Sequence, residues 1–309
     1  MAEPVTLIQA SRPNVYTGSP LDRAGDKRND AAWIASAMES PEARFTPLWR
    51  ARSLLRRTPE GAAEAVFLTG QAATAARADA GAWAFLGVHD ETPVFVLDFS
   101  TAEEAPLAEF GEFTDLRSVA GKLPGNDASV LAHARGLMHW RGRHRFCGVC
   151  GGACLPESAG HVMACTQCST HHFPRTDPAV IMLVTIGDRA LLGHSTRFPT
   201  STMYSTLAGF VEPGESLEEA VAREVFEESG IRVGRVHYHS SQPWPFPASV
   251  MLGFYAEGLS EEITIDTNEL LDVRWFTRDQ MRNPEPHGFA LPRGDSIARR
   301  LIEDWIAAG

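Results

Sequence analysis

The stretch from Gly209 to Ile231, GFVEPGESLEEAVAREVFEESGI, constrains the fold of this chain more than any other. A Pro-Gly pair predicts a turn near its start. Ser216, with Glu219 three residues later, predicts a helix that begins with a capping box. Gly230 is expected to end that helix. Apolar residues recur at helical spacing between these two points, so one face of the helix should be buried.

Three glutamates lie on one face of this predicted helix. Glu224, Glu227 and Glu228 stand at positions i, i+3 and i+4, which are neighbours on a helix surface. Carboxylates held this close repel one another unless a cation lies between them, and hard divalent cations such as Mg²⁺ prefer oxygen ligands. The alternative is an acidic face that only contacts water. Arg223 and Glu215 lie eight residues apart, about two helical turns, a spacing that is compatible with a supporting ion pair.

The order of residues around the three glutamates favours a metal-binding face over one that only contacts water. Gly209, Glu215, the Arg223-Glu224 pair, the Glu227-Glu228 pair and Gly230 with the following isoleucine occupy the fixed positions of the Nudix box. The chain therefore resembles the Nudix hydrolase family. That resemblance implies hydrolysis of a nucleoside diphosphate linked to another group, assisted by a divalent metal.

Length, charge and hydropathy exclude several classes of protein. The chain has 309 residues, enough for two domains, and 44% of them are hydrophobic. A net charge of −11 argues against non-specific nucleic-acid binding through bulk charge, although a local basic patch remains compatible with it. No run of 18 apolar residues and no signal-peptide pattern in residues 1–30 are found. We therefore expect a cytoplasmic protein without a membrane segment.

All five cysteines lie within a short segment. Cys147-x2-Cys150 and Cys165-x2-Cys168 form two CxxC knuckles at zinc-ribbon spacing, which predicts a structural Zn²⁺ held by four thiolates in a reducing compartment. Cys154 falls outside the knuckle spacing and is expected to be a free thiol. The alternative to a zinc site is that the four knuckle cysteines are small buried residues whose spacing is coincidental.

Residues on either side of the knuckles leave two interpretations open. Arg141, Arg143 and Arg145 either complete the end of a helix, which we favour, or contact phosphate. His171 and His172 are expected to be exposed, because the knuckles already supply four ligands.

Patterns along the chain predict three domains: an α+β domain without a catalytic motif (1–143), a zinc ribbon (144–174) and a catalytic Nudix domain (175–309). The fold class is α/β, with strands around the glutamate helix and helices on both sides giving an α/β/α sandwich with a mixed sheet. Residues 1–30 are expected to be loop. The clearest predicted helices are 31–38, from Asp127 to about 140, and 296–307; the clearest strands are 65–68, 82–88, 93–98, 179–185, 189–193, 232–239, 249–256 and 272–276.

A proline-rich segment narrows the substrate. In the sequence SQPWPFPAS, prolines alternate with Trp244 and Phe246 and fix the backbone φ angle, so that the aromatic faces are held with little loss of entropy. Such faces suit a flat heterocycle, whereas the alternative is a loop that fills the core. The segment resembles the SQPWPFPxS signature of NADH pyrophosphatases, which also carry a zinc ribbon ahead of the Nudix box.

This second resemblance implies roles for individual residues. The zinc ligands would be Cys147, Cys150, Cys165 and Cys168. The Mg²⁺ or Mn²⁺ ligands would be Glu224, Glu228, Glu269 and the carbonyl of Ala208, with Glu227 as a further catalytic residue. Substrate would contact Phe173, where relatives often have tyrosine, then Gln242, Pro243, Trp244, Pro245, Phe246, Pro247, Ala248 and Ser249, and the backbone of Ala298.

The implied reaction is hydrolysis of NADH or NAD⁺ to the nicotinamide mononucleotide and AMP by a homodimer. The general base stays open between Glu227, Glu228 and Glu269. One alternative is the same chemistry on NAD-capped RNA. Another is a zinc-ribbon protein that binds nucleic acid and only senses nucleotides.

Overall fold

The computed structural model describes residues 13–309, which form two compact units. The N-terminal unit comprises Tyr16–Thr176 together with Trp244–Ala248, and the C-terminal unit comprises 13–15, Asp177–Pro243 and Ser249–Gly309. The part of the expected loop that covers residues 1–12 lies outside the described residues. Within the described part, no helix is long and apolar enough to cross a membrane.

The N-terminal unit contains a six-stranded sheet, four α-helices and 3-10 helices at Gly25–Asn29, Ala120–Lys122 and Ser158–Gly160. The helices are α1 (Ala31–Glu39), α2 (Gly70–Asp79), α3 (Leu116–Val119) and α4 (Gly125–Arg143). The strands are β1 (Arg44–Trp49), β2 (Arg52–Arg57), β3 (Ala63–Ala65), β4 (Ala82–His89), β5 (Thr92–Asp98) and β6 (Glu112–Thr114).

Helices cover both faces of this sheet because its strands are apolar on both sides. The strand order is β3-β2-β1-β5-β4, with β1 parallel to β5 and β6 paired with β2. Phe85 and Phe95 pack in one core with α1 and α2, whereas Leu86 and Val96 pack in the other core with α4. Successive residues of a strand point to opposite faces, so each strand contributes to both cores.

The hairpin of β1 and β2 was not predicted from the sequence. Pro47 lies in β1, between two hydrogen-bonded neighbours, where proline normally argues against a strand. The two-residue turn is Arg50-Ala51, and both residues have positive φ, 47° and 60°. Such turns usually contain Asn-Gly or Asp-Gly, so the usual hairpin signal is missing.

The zinc-ribbon segment forms a small three-stranded sheet. Its strands are β7 (Cys154–Glu157), β8 (Val162–Cys165) and β9 (His171–His172), paired in that order. The turns before β7 and between β8 and β9 carry the CxxC knuckles.

The C-terminal unit contains a second six-stranded sheet. Its strands are β10 (Asp177–Ile186), β11 (Arg189–His194), β12 (Leu207–Phe210), β13 (Val233–Trp244), β14 (Ser249–Gly258) and β15 (Asp272–Thr277). The helices are α5 (Leu217–Ser229), α6 (Arg278–Arg282) and α7 (Ile297–Ala307).

This sheet is mixed and lies between helices, as predicted. The order is β13-β14-β10-β11-β15, with β12 paired to β10, and β10 runs parallel to β14. Val180, Met182 and Val184 of β10 share a core with α5, and Ile181 and Leu183 share the opposite core with α7. The near-continuous apolar run of β10 follows from burial on both faces. The α/β/α sandwich is confirmed.

The two sheets share one order of elements. Each unit runs through three strands, a helix, three strands and a final long helix, and in each the first strand is parallel to the fifth. In each unit the sixth strand pairs antiparallel with the second. The third strand differs, because β3 pairs with β2 whereas β12 pairs with β10. Helix α2 occupies the position of α5 in this order but contains no glutamate.

Candidate active site

Helix α5 begins and ends where its sequence predicts. The Ser216 hydroxyl accepts a hydrogen bond from the Glu219 amide at 3.2 Å, and the Glu219 carboxylate accepts one from the Ser216 amide at 2.8 Å. Gly230 follows with φ of 71°, a left-handed conformation that favours glycine. Ala220, Val221 and Val225 are buried against the sheet. The glutamate face is therefore held by a helix with both ends fixed.

Arg223 organises the acidic face. Its Nε and Nη2 donate to the two carboxylate oxygens of Glu215 at 2.7 and 2.9 Å, which confirms the ion pair that their spacing allows. Its Nη1 donates to Glu224 at 2.8 Å and to Glu227 at 3.0 Å, and Nη2 also donates to the Phe210 carbonyl at 2.9 Å. The hydrogen bonds from Arg223 lower the pKa of Glu215 to about 2. Arg223 thus fixes the orientation of three carboxylates.

The three box glutamates do not share one environment. Glu224 and Glu228 are buried, whereas the Glu227 side chain is 57% exposed. Glu224 packs directly on the backbone of β12, because a Cβ atom on Gly209 would overlap its carboxylate. Burial raises the pKa of Glu224, in spite of its bond to Arg223. Only glycine at position 209 leaves room for this carboxylate.

Glu228 is the most strongly perturbed carboxyl group of the site. Burial raises its pKa to about 8, and the charges of Glu224, Glu269 and Asp266 act in the same direction, against a backbone hydrogen bond from Ala208. Its Oε2 atom is buried and has no hydrogen-bond partner among the described residues. Three neighbouring carboxyl groups therefore disfavour a negative charge on Glu228, whose Oε2 atom is shielded from water.

This donor set fits a divalent cation. Burying a carboxylate oxygen without a hydrogen-bond partner costs free energy of folding. A hard cation bound there would act as the missing partner, and its positive charge would lower the pKa that burial and the neighbouring carboxylates raise. Glu269, which sequence resemblance placed with these ligands, is exposed and close enough for its charge to act on Glu228. Ala208 lies in β12 opposite Ile181 and also reaches Glu228 through its backbone. Glu224, Glu228 and Glu269 thus lie near enough for their charges to interact, and the backbone of Ala208 contacts Glu228.

The four knuckle cysteines form a second metal-binding group. Their sulfur atoms all lie within 4.8 Å of one another, with Cys147 3.7 Å from Cys168 and Cys150 3.4 Å from Cys165. Cys154 lies outside this group and is buried, as expected for a free thiol in the core. Four thiols that close on one point fit a structural Zn²⁺, with no open position for catalysis.

Hydrogen bonds act unevenly on the four thiols. A backbone hydrogen bond from Gly152 favours the Cys150 thiolate, but the neighbouring thiols outweigh it and raise the pKa of Cys150 well above its usual value. The backbone amides of Val149 and Gln167 donate to Cys147 and Cys165, each at 3.4 Å. Hydrogen bonds from Thr170 lower the pKa of the Cys168 thiol to about 6. His171 is exposed as predicted, whereas His172 is partly buried. Its Nε2 atom lies 3.3 Å from the Cys147 sulfur.

Gln242 opens the proline-rich segment with its side chain fully engaged. Its Nε2 donates to the carbonyls of Val15 at 3.1 Å and Asp295 at 2.8 Å, and its Oε1 accepts from the Ile297 amide at 2.9 Å. The amide therefore caps α7 and fixes the start of the segment. Ala298, in the first turn of α7, is buried. Gln242 thus holds the position of Ala298 through the helix start.

Trp244 and Phe246 belong to the N-terminal unit, where they contact residues that the sequence did not single out. Tyr16 meets both rings edge-on, at centroid distances of 6.1 and 5.7 Å. The Arg135 guanidinium lies over Phe246 at 4.8 Å, and its Nε donates to the Pro245 carbonyl at 2.8 Å. Both rings keep partial exposure. No local sequence signal links residues so far apart in the chain.

The remaining predicted substrate residues differ in how much of their surface is exposed. Phe173 follows β9 and is 64% exposed. Pro243 and Pro247 are exposed, and Ala248 and Ser249 are partly buried. Ser249 opens β14 opposite Asp177 of β10.

Comparison with known proteins agrees with this architecture. Residues 175–300 match the NUDIX domain, residues 143–173 match the NADH pyrophosphatase zinc ribbon domain, and residues 42–140 match the NADH pyrophosphatase-like rudimentary NUDIX domain. The last match accounts for the shared order of elements in the two sheets. The sequence had indicated only an α+β domain there.

Relatives of known name match 60–72% of this chain. The chain is 41% identical over 222 residues to the NAD-capped RNA hydrolase NudC of Stutzerimonas stutzeri, covering 72% of this chain and 76% of that protein. It is 41% identical over 224 residues to NudC of Pseudomonas aeruginosa, covering 70% and 73%. It is 44% identical over 199 residues to the NAD-capped RNA hydrolase NUDT12 of Macaca fascicularis, covering 60% of this chain but 43% of that longer protein.

The three-layered C-terminal unit with its glutamate helix is a Nudix domain, and the chain belongs to the Nudix hydrolase family. Within that family, its zinc ribbon and rudimentary second domain are those of the NADH pyrophosphatase type.

Proposed function

We propose that this protein hydrolyses the pyrophosphate bond of NADH and NAD⁺, giving the nicotinamide mononucleotide and AMP. The observation that carries the proposal is the buried pair Glu224 and Glu228: among the described residues Glu224 pairs with Arg223, whereas Oε2 of Glu228 has no partner. Two carboxylates repel a phosphate group unless a divalent metal lies between them and the phosphate, so the pair indicates metal-assisted chemistry. The choice of a dinucleotide as substrate rests on the relatives, which are named NAD-capped RNA hydrolases.

We assign the metal, Mg²⁺ or Mn²⁺, to Glu224, Glu228, Glu269 and the Ala208 carbonyl. When bound, it neutralises pyrophosphate oxygens and makes a water molecule more acidic. Arg223 keeps Glu224 and Glu227 in place through its Nη1 atom. Glu227, Glu228 and Glu269 are the candidates for the general base, and their single Gln variants would separate them by the pH profile of kcat.

The dinucleotide is proposed to lie against the segment from Gln242 to Ser249, with Phe173 and Ala298 as further contacts. Trp244 and Phe246 offer ring surface that is held in place by Tyr16 and Arg135. Rings that are fixed before binding lose little entropy when a heterocycle stacks on them. Gln242 serves here by positioning the segment and the start of α7.

A second candidate substrate is NAD-capped RNA. It is favoured by the similarity to NudC and NUDT12, both of which are NAD-capped RNA hydrolases. The bond cleaved would be the same, so the glutamate site serves both substrates. With a net charge of −11, the body of the RNA would be held only through local contacts, not through long-range attraction.

We further propose that the protein works in the cytoplasm as a homodimer. Four thiols poised for zinc require a reducing compartment. The mass in solution, measured by light scattering, would be twice that of the 33.7 kDa chain. A monomer mass at working concentrations would remove the dimer from the proposal.

The decisive experiment is turnover of NADH with Mg²⁺ or Mn²⁺, with products separated by chromatography. Glu228→Gln should lack activity, whereas Glu218→Gln, an exposed glutamate on the same helix, should keep it. NAD-capped RNA is assayed in parallel. Binding without turnover of either substrate would instead indicate the nucleotide-sensing alternative, and the enzymatic proposal would be withdrawn.

A further inference from the structure

Four basic side chains come together in the N-terminal unit, and the proposed reaction uses none of them. Arg23 precedes the first 3-10 helix and Arg28 lies within it, His133 lies on α4, and His161 precedes β8. The Arg28 Nη2 atom donates to the Arg23 carbonyl at 3.3 Å. The two imidazole rings lie 6.1 Å apart, and His161 Nε2 contacts the Phe85 carbonyl at 2.7 Å.

The charge of this cluster is not balanced by acidic groups in the described part of the chain. Among residues 13–309, neither arginine forms an ion pair with a carboxylate. The charged neighbours that act on His133 are Arg23, His161 and Arg28. The chain has 39 acidic and 28 basic residues, so the lack of a partner is not a shortage of acids.

Burial and mutual repulsion keep the two histidines neutral. Burial lowers the pKa of His133 well below its usual value and that of His161 to about 4, and the two arginines act in the same direction. The positive charge of the cluster therefore resides on Arg23 and Arg28. Partial desolvation lowers the pKa of both arginines, although Arg23 keeps much of its surface in contact with water, and the charge of Arg28 lowers the pKa of Arg23 further.

Two polar atoms of the cluster are unused. Nε of Arg28 and Nδ1 of His133 are buried and have no hydrogen-bond partner among the described residues. Buried polar atoms without partners are rare in native proteins, and a bound ion or water often satisfies those that occur. Arg23 is exposed, Arg28 and His133 are partly buried and His161 is buried, so the cluster extends from the surface inward.

We propose that Arg23, Arg28, His133 and His161 form a binding site for a phosphate oxyanion. A guanidinium group presents a planar set of donors that matches phosphate oxygens, and two such groups side by side suit a dianion. Neutral His133 can add a donor through its unpartnered Nδ1 atom without further charge. The single N–H of neutral His161 already donates to the Phe85 carbonyl, so His161 lines the site without donating to the phosphate. The phosphate would be either free inorganic phosphate or a phosphodiester of an RNA chain. This proposal does not depend on the proposed hydrolysis.

The test is calorimetric titration of inorganic phosphate into the full chain with its zinc, without Mg²⁺ or Mn²⁺, at ionic strength held constant with NaCl. Arg23→Gln/Arg28→Gln should bind phosphate at least about tenfold more weakly, as expected for the loss of charged hydrogen bonds. Lys27→Gln is the matched control, because Lys27 lies in the same 3-10 helix and pairs with Asp26. It should bind as the wild type does, as should Glu228→Gln.

Thermal unfolding without phosphate checks the fold of the double variant. It should melt at or above the wild-type temperature, because two unbalanced charges are removed. A short uncapped single-stranded RNA then identifies the source: displacement of phosphate indicates a phosphodiester, and no displacement indicates free phosphate. The proposal is overturned if the wild type does not bind phosphate beyond chloride, if the double variant binds equally well, or if the double variant melts well below the wild type.

Discussion

Glu228 shows how one residue can oppose folding and serve catalysis. Its carboxyl group has a raised pKa of about 8 in the folded protein without metal, whereas an exposed glutamate titrates near 4.5. A group with a raised folded pKa disfavours folding once the unfolded chain ionises. This cost is absent below about pH 4.5, grows as the pH rises, and is complete above about pH 8.

We therefore expect opposite effects of Glu228→Gln on stability and activity. With metals removed from the active site, the variant should be more stable than the wild type at pH 8, on the order of 4 kcal/mol, and equal to it near pH 4. Hydrolysis should fall by at least ~100-fold, the scale for losing one charge-stabilising group. Denaturant unfolding at the two pH values and NADH turnover measure the two effects. Wild-type kcat would remove Glu228 from the mechanism.

Gly209 acts by the absence of a side chain. Gly209→Ala should push the Glu224 carboxylate away from β12, because the added Cβ would occupy its place. Activity should fall about 10- to 100-fold, as when a group that orients a metal ligand is lost, while the fold is kept.

Gly294→Ala is the control for the glycine variant, since no atom lies within 4 Å of an added Cβ there. The measurement is kcat together with the apparent affinity for Mn²⁺. Full activity of Gly209→Ala would mean that Glu224 adapts without cost.

At the scale of elements, the zinc ribbon is a small sheet whose stability depends on its metal. We expect one Zn²⁺ per chain and loss of it in Cys165→Ser, with the melting temperature lowered by ~5 °C or more because zinc binding energy is folding energy. Cys154→Ser is the control and should keep its zinc, since Cys154 lies outside the four-thiol group. Elemental analysis and thermal unfolding are the measurements. Unchanged melting of Cys165→Ser would count against a structural zinc.

The aromatic rings of the proline-rich loop are proposed to stack on the nicotinamide ring, and their alanine variants test this role. Trp244→Ala or Phe246→Ala should lower kcat/KM for NADH by roughly 5- to 150-fold, from about 1–3 kcal/mol of stacking per base. ADP-ribose lacks the nicotinamide ring and should be affected far less. Contacts with Tyr16 and Arg135 are equally compatible with a second role, in which these rings only hold the loop. Equal losses on both substrates, at unchanged melting temperature, would favour that second role.

At the scale of the whole molecule, net charge decides how RNA can be held. The chain carries −11, so the body of a capped RNA should gain little from long-range attraction. Raising salt from about 50 to 200 mM should lower kcat/KM on NAD-capped RNA by less than ~10-fold, against roughly 10³–10⁵ for proteins that make 6–10 phosphate contacts. NAD⁺ assayed at the same salt concentrations is the control. A steeper loss on RNA alone would reveal an extended phosphate-binding surface.

The sequence by itself determined the features whose causes are local. The capping box of Ser216 and the end of α5 at Gly230 depend on residues at the two ends of one helix, so their positions in the chain were sufficient. The ion pair of Arg223 with Glu215 joins α5 to the residue just before its N-cap, within the same short segment. The CxxC knuckles are local in the same sense, because each turn presents two sulfurs.

Tertiary structure decided what depends on contacts between distant segments. The hairpin of β1 and β2 forms in spite of Pro47 because its neighbours on both sides supply pairing and burial. Glu228 differs from Glu227 because only one of them faces the sheet and loses its water. The contacts of Phe246 with Arg135, like the cluster of Arg23 and His133, join residues about 110 positions apart. Helical spacing can place carboxylates on one face, but only packing sets which of them are desolvated.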